Sequence, residues 1–159
     1  MNAKHAFVFE HANDVLIVTP KGPFMEFRDN DLRNSYNEAY RLLNAPVTRH
    51  LLFDFAHLDD FGSTFVGIIF NLARAARSNN GETSLCHLSD NMRGMLKTLM
   101  LLENKKFNFS LKLYPNREVA IRKLEESSRR EEFRKLEEFR KREEFRKLDE
   151  FTKLADMII

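Results

Sequence analysis

Leu51-Leu52-Phe53 is an unbroken apolar run that ends at Asp54, and Ser63 then stands at the head of a stretch with helical periodicity. An unbroken run, rather than an alternating one, suits a central strand covered on both faces. From Ser63 to about Ser78, the residues Phe65, Ile68, Ile69, Leu72 and Ala76 make one apolar stripe. Asn79-Asn80-Gly81 closes that helix by turn chemistry. A covered strand, a short polar connection and a helix beginning on a hydroxyl require a sheet with helices packed on it. The connection presents one polar side chain, Ser63, with Thr64 beside it.

The rest of the chain fits the same scheme. Residues 6–10 and 15–19 read as two strands joined by a turn at Asn13-Asp14. Phe24, Met25 and Phe27 lie in a connecting stretch, after which Asp29 or Asn30 can cap a helix over residues 31–43. The third strand covers 49–54 and the fourth 83–87. Ser89-Asp90 caps a helix over 91–102, whose inner side holds Met92, Met95, Leu96, Leu99 and Met100. A fifth strand over 109–114 leads to Pro115-Asn116, which opens a last helix bearing Val119, Ala120 and Leu124. The later strands are each separated by a helix, which predicts a small α/β domain with a largely parallel half-sheet and right-handed crossovers. The domain is expected over residues 1–124.

From Glu125 the composition changes. Residues 131–154 are four tandem copies of a six-residue unit of the type Glu-Glu-Phe-Arg-Lys-Leu, without Gly or Pro. Acid-first pairs at i, i+4, such as Glu131 with Lys135, each support a helix by about 0.2–0.5 kcal/mol. Six residues fall about 120° short of two turns, so Phe133, Phe139 and Phe145 point three ways. The repeat therefore lacks the lasting seam of a heptad coiled coil. An extended, charge-paired helix over 125–159 is expected. It reads first as a solvated repeat; the alternative, a docking or self-association arm, is supported by its exposed Phe residues and apolar Met157-Ile158-Ile159 end.

Composition excludes several function classes. A net charge of +2 does not imply a nucleic-acid partner. A single cysteine, Cys86, allows neither a disulfide framework nor a multi-thiolate metal site, and points weakly to a reducing compartment. No apolar run reaches the length of a membrane span or a signal peptide, so a cytoplasmic protein is expected, without membrane insertion. His5, His11, His50, His57 and His87 show no ligand spacing with carboxylates or with Cys86, and no Gly-rich phosphate loop or nucleophile elbow occurs. No metal, no cofactor and no enzymatic activity are expected.

Residues 15–124 resemble a STAS domain, the fold of bacterial anti-sigma factor antagonists and of sulfate-transporter cytoplasmic domains, with the motif in the stretch from Asp54 to Gly67. Asp54, Leu58, Phe61, Ser63, Val66 and Gly67 match that family's pattern by position. Leu85 to Ser89 with Met92-Arg93, and Tyr114 with Glu118, Ala120 and Leu124, resemble its later elements. The resemblance implies a STAS-like domain with a mixed five-stranded sheet and about four helices. It leaves the charged C-terminal helix unexplained.

The resemblance also implies a site. The family's phosphorylated hydroxyl carries over to Ser63, with Thr64 as the alternative. Gly62, Ser63, Thr64 and Phe65 would meet the partner, an anti-sigma factor or kinase-like regulator, with a serine kinase and a serine phosphatase acting on the switch. Two positions depart from the family. Gly62 stands where Asp is usual, and Phe65 where Gly is usual; Phe65 faces either the sheet or a partner. Read from the residues alone, Ser63 has a second explanation, as a cap accepting a backbone N–H at the helix start. A constitutive adaptor that has lost its switch is the alternative function.

Overall fold

The computed structural model describes residues 6–21, 29–98 and 111–158. The elements run β1 (Phe7–Ala12), β2 (Val15–Pro20), α1 (Asp29–Leu43), β3 (His50–Asp54), α2 (Ser63–Ser78), β4 (Thr83–Cys86), α3 (Asp90–Thr98), β5 (Leu111–Tyr114) and α4 (Arg117–Ile158). The five strands form one sheet in the order β1-β2-β3-β4-β5. β1 and β2 are antiparallel, and every later pair is parallel. The sheet is mixed, as expected, and β3 is its central strand. The first strand runs two residues beyond its expected end, to the Asn13-Asp14 turn, where Asn13 takes a positive φ of 54°. The stretch with Phe24, Met25 and Phe27, the Asp29 or Asn30 cap, and expected elements over 99–102 and 109–110 lie outside the described residues or side chains. The chain divides into two compact units, Met1–Leu124 and Glu125–Ile159.

The unbroken run at β3 has the cause proposed for it. On one face of the sheet Leu16, Val18, Leu51, Phe53 and Leu85 pack with Ala39 and Leu43 of α1, Ile69 and Leu72 of α2, and Met92 and Leu96 of α3. On the other face Val15, Ile17, Leu52 and Cys86 pack with Ala120 and Leu124 of α4. Successive residues of a strand point to opposite faces, so both sets must be apolar. α3 is capped by Ser89, whose Oγ accepts the Met92 N–H at 3.2 Å, and α4 by Asn116, whose Oδ1 accepts the Val119 N–H at 2.9 Å.

His50 opens β3 in a buried position, where Nδ1 accepts the Glu82 N–H at 3.0 Å and Nε2 lies 3.9 Å from the Asp14 carboxylate. Burial pushes this imidazole below its ordinary 6.5 and Arg49 acts the same way, against the opposite pull of Asp14 and Glu82. The hydrogen bond itself requires an unprotonated Nδ1. The unfolded chain takes up a proton near 6.5 and the fold only at lower pH, so this contribution is complete above the unfolded value and is lost as pH falls from it toward the folded one. Stability is expected to fall as the pH drops below the unfolded value, with a slope no steeper than about 1.4 kcal/mol per pH unit. Urea unfolding of the wild type and His50→Gln across that range checks this, and equal pH slopes would remove His50 as the source.

Candidate functional site

The site is built on the connection from β3 to α2. Asp54 ends β3, and its Oδ1 accepts the Ala56 N–H at 3.0 Å, which turns the chain out of the sheet. Phe55 donates its N–H to the Cys86 carbonyl at 3.0 Å, and Ser89 Oγ donates to the Asp59 carbonyl at 2.7 Å. The connection is thus tied at two places to the end of β4 and the start of α3.

Phe65 fixes the head of α2. Its side chain is fully buried, with ring centroids 5.8 Å from Phe7, 6.4 Å from Phe53, 6.1 Å from Phe55 and 5.5 Å from Phe61. Edge-to-face and tilted arrangements of this kind add to the burial of the rings themselves. Of the two orientations open for Phe65, the inward one is found. This corrects the expectation that Phe65 contacts a partner directly: an aromatic ring at this position finds four others in the core and leaves nothing for a partner to touch.

Gly62, Ser63 and Thr64 are exposed, as is Gly67 one turn further along α2. Residues three and four apart share a helix face, so Gly67 lies beside the two hydroxyls. Among the described residues no atom comes within 4 Å of a Cβ placed at Gly62 or Gly67, which leaves the patch open on that count. The helix cap is Gly62, in extended conformation (φ −94°, ψ −179°), and its carbonyl accepts the N–H groups of Phe65 and Val66 at 3.1 and 3.2 Å. Ser63 is therefore the first helical residue and not the cap, which corrects the capping explanation. Its hydroxyl has no hydrogen-bond partner among the described residues. The first N–H groups of a helix have no intrahelical acceptor and carry the positive end of its dipole. The first turn of α2 contains no acidic residue to offset that charge.

On the opposite face of the sheet lies a charged group that sequence reasoning missed. Arg117, at the start of α4, donates from Nε to Asp54 Oδ2 at 2.9 Å, from Nη1 to both Glu10 oxygens at 3.1 and 3.2 Å, and from Nη2 to Thr19 Oγ1 at 3.2 Å. Burial alone would lower the pKa of this guanidinium, but Asp54 and Glu10 outweigh it and raise it. A cation in the first turn opposes the helix dipole, and that misplacement was the available signal that Arg117 serves a tertiary contact.

Asp54, Cys86 and His87 also bring a carboxylate oxygen, a sulfur and an imidazole nitrogen within 4.8 Å of one another. Spacing along the sequence concealed this, because Asp54 and Cys86 face each other across the β3–β4 ladder. Both Asp54 oxygens are already engaged, by Ala56 N–H and by Arg117. Burial first, and then Asp54, pushes the Cys86 thiol up to about 12. The set has the chemistry of an ion pair beside a neutral thiol, and Cys86 is a core residue.

Among the described residues no helix is long and apolar enough to cross a membrane. No curated protein sequence matches the chain. Its fold is that of several solved structures. A STAS domain anti-sigma-factor antagonist from Planctomyces limnophilus superposes with a TM-score of 0.61 at 14% identity, over 74% of this chain and 97% of that one. A serine-to-glutamate variant of RsbS from Moorella thermoacetica gives 0.63 at 14% identity, over 77% and 97%. The phosphorylated form of the Bacillus cell fate determinant SpoIIAA gives 0.56 at 15% identity, over 74% and 98%. The STAS domain model matches residues 6–120, from β1 into α4, and the chain belongs to that family.

Proposed function

We propose that the chain is a non-enzymatic regulatory module of the anti-sigma factor antagonist type. It binds an anti-sigma factor or kinase-like regulator through the exposed head of α2, and a phosphate on Ser63 weakens that binding. A serine phosphatase restores it. Ser63 carries this role because its hydroxyl is exposed, unbonded among the described residues and held on a helix end locked into the core by Phe65. A phosphate adds about −1.5 to −2 charges. The open N–H groups at the helix start accommodate it without unfolding. A partner surface docking on Gly62, Ser63, Thr64 and Gly67 would then meet a bulky anion, and a partner that is apolar or acidic there pays in desolvation and repulsion.

Binding of the wild type, Ser63→Ala and Ser63→Asp to the cognate regulator tests the switch. Ser63→Ala is expected to bind like the wild type and to fold within about 0.5 kcal/mol of it, because no cap is lost. Ser63→Asp is expected to bind at least about tenfold more weakly, a difference of about 1.4 kcal/mol. Equal affinities for the two variants would leave the alternative, a constitutive adaptor in which Gly62 and the core-facing Phe65 mark a site without a switch.

A further inference from the structure

The tail portion of α4 exposes large apolar side chains along its length, among them Phe133 at 66% and Phe151 at 72%. Eighteen residues are five helical turns, so these two rings return to one face about 27 Å apart. Between them, spaced by threes and fours, the same face carries Glu137, Arg140, Glu144 and Lys147. All six project within about 40° of one direction. Residues spaced by threes and fours share one side of a helix, and this side has charged layers in its middle and an aromatic at each end.

The order of charges decides how such a face can pair. In each six-residue unit two carboxylates precede the Phe and basic residues follow it, except in the last, where Thr152 stands in the first basic position. Reversing the direction of the chain about a Phe therefore exchanges the signs. With two tails antiparallel about a two-fold axis level with Arg142, Phe133 meets Phe151 of the second copy, Glu137 meets its Lys147, and Arg140 meets its Glu144. Each contact occurs twice. A parallel pair in register would set Glu137 on Glu137 and Arg140 on Arg140. Glu137 and Arg140 already form an ion pair at 3.0 Å within one helix, so half of each four-charge cluster is in place before pairing.

We infer that the tail is a self-pairing arm that joins two copies of this chain as an antiparallel two-fold helix pair, with Phe133 on Phe151. It is independent of the Ser63 switch. Isolated exposed ion pairs contribute little, so the pair needs both aromatic layers and the charge network together, and it weakens with salt.

Sedimentation equilibrium of the full chain tests it. The wild type is expected to show a concentration-dependent dimer mass that falls at raised ionic strength. E137K alone sets lysine on Lys147 of the second copy, and K147E alone sets glutamate on its Glu137. Each is expected to raise the dimer dissociation constant about tenfold or more. An equimolar mixture of the two is expected to recover wild-type affinity, since both layers are then of opposite sign. Positions 137 and 147 are too far apart on one helix to meet, so recovery on mixing reports the antiparallel contact itself. A wild type that stays monomeric, single variants that dimerise as tightly as it does, or a mixture no tighter than its components would each overturn the assignment.

Discussion

Gly81→Ala is expected to destabilise the domain by at least about 3 kcal/mol. A Cβ at this position would lie 1.6 Å from the Arg49 carbonyl oxygen, 2.6 Å from its carbon and 3.1 Å from the Ala76 carbonyl oxygen. These are backbone atoms, and the first of them cannot rotate away. Arg49 is itself held: its N–H donates to the Asp14 carbonyl at 2.8 Å, as does that of His50 at 3.0 Å, and Leu51 donates to the Glu82 carbonyl at 3.0 Å. Gly81 in turn donates to the Ala76 carbonyl at 2.8 Å, closing α2. A methyl group can be admitted only by pulling the entry of β3 away from the end of α2, which breaks several of these bonds together. A domain has about 5–15 kcal/mol in total, so the loss is a large share of it. Gly94→Ala is the control, on an exposed position of α3 with nothing among the described residues within 4 Å of the added atom. That substitution is expected to stabilise by about 0.5–1 kcal/mol, because the unfolded chain loses freedom. Urea midpoints of the two variants should move in opposite directions. A shift of Gly81→Ala under about 1 kcal/mol would show that the strand entry yields easily.

The contrast between these glycines also shows which parts of the fold the sequence made legible. Leu51-Leu52-Phe53 announced a strand with two covered faces because its apolar pattern is local and continuous. The span of α2 was readable for the same reason, since its stripe recurs over about three turns. The role of Gly81 was not, because the atom it avoids, the Arg49 carbonyl, belongs to another segment. Phe65 was ambiguous for a related reason. An aromatic at a helix head reads alike whether it meets the core or a partner, and only the placement of Phe7, Phe53, Phe55 and Phe61 around it decides. Ser63 was legible as the head of α2 but not as a residue other than the cap, because the choice between Gly62 and Ser63 as cap rests on one residue's backbone angles. Asp54, Cys86 and Arg117 come from three separate elements, and no spacing along the chain connects them. In the tail the opposite holds: the 18-residue return of Phe133 to Phe151 follows from the repeat and helical geometry alone.

The separation of the two sheet faces gives this division a functional meaning. α2 presents its exposed head on one side, and the Arg117 group sits under α4 on the other. Asp54 is the residue that belongs to both. It ends the strand from which the connection to Ser63 departs, and its two oxygens hold Ala56 of that connection and Arg117 of α4. The position of the α2 head thus depends on a carboxylate that Arg117 neutralises.

Arg117→Ala is accordingly expected to cost about 3 kcal/mol, most of it through Asp54. The two limbs of the Arg117 contact differ in worth. Glu10 is 48% exposed, and an ion pair in that setting contributes about 1 kcal/mol or less. The Asp54 side chain is only 6% exposed, so removing the guanidinium leaves a buried carboxylate with too few donors. Truncating one partner of a buried pair costs more than the pair was worth, because the remaining charge is stranded. Asp54→Asn removes that charge, and the double variant Asp54→Asn/Arg117→Ala is expected to be more stable than Arg117→Ala alone. Urea unfolding of the four proteins gives the coupling, expected at about 2 kcal/mol, well above the error of additivity for independent sites. Strict additivity would mean that Arg117 acts through Glu10 and Thr19 or through packing. Glu10→Gln is expected to cost under about 1 kcal/mol in the same assay. In Arg117→Ala the amide of Ala56, whose acceptor is Asp54, is expected to exchange with solvent faster than in the wild type, while amides in the middle of α2 change only with the global stability.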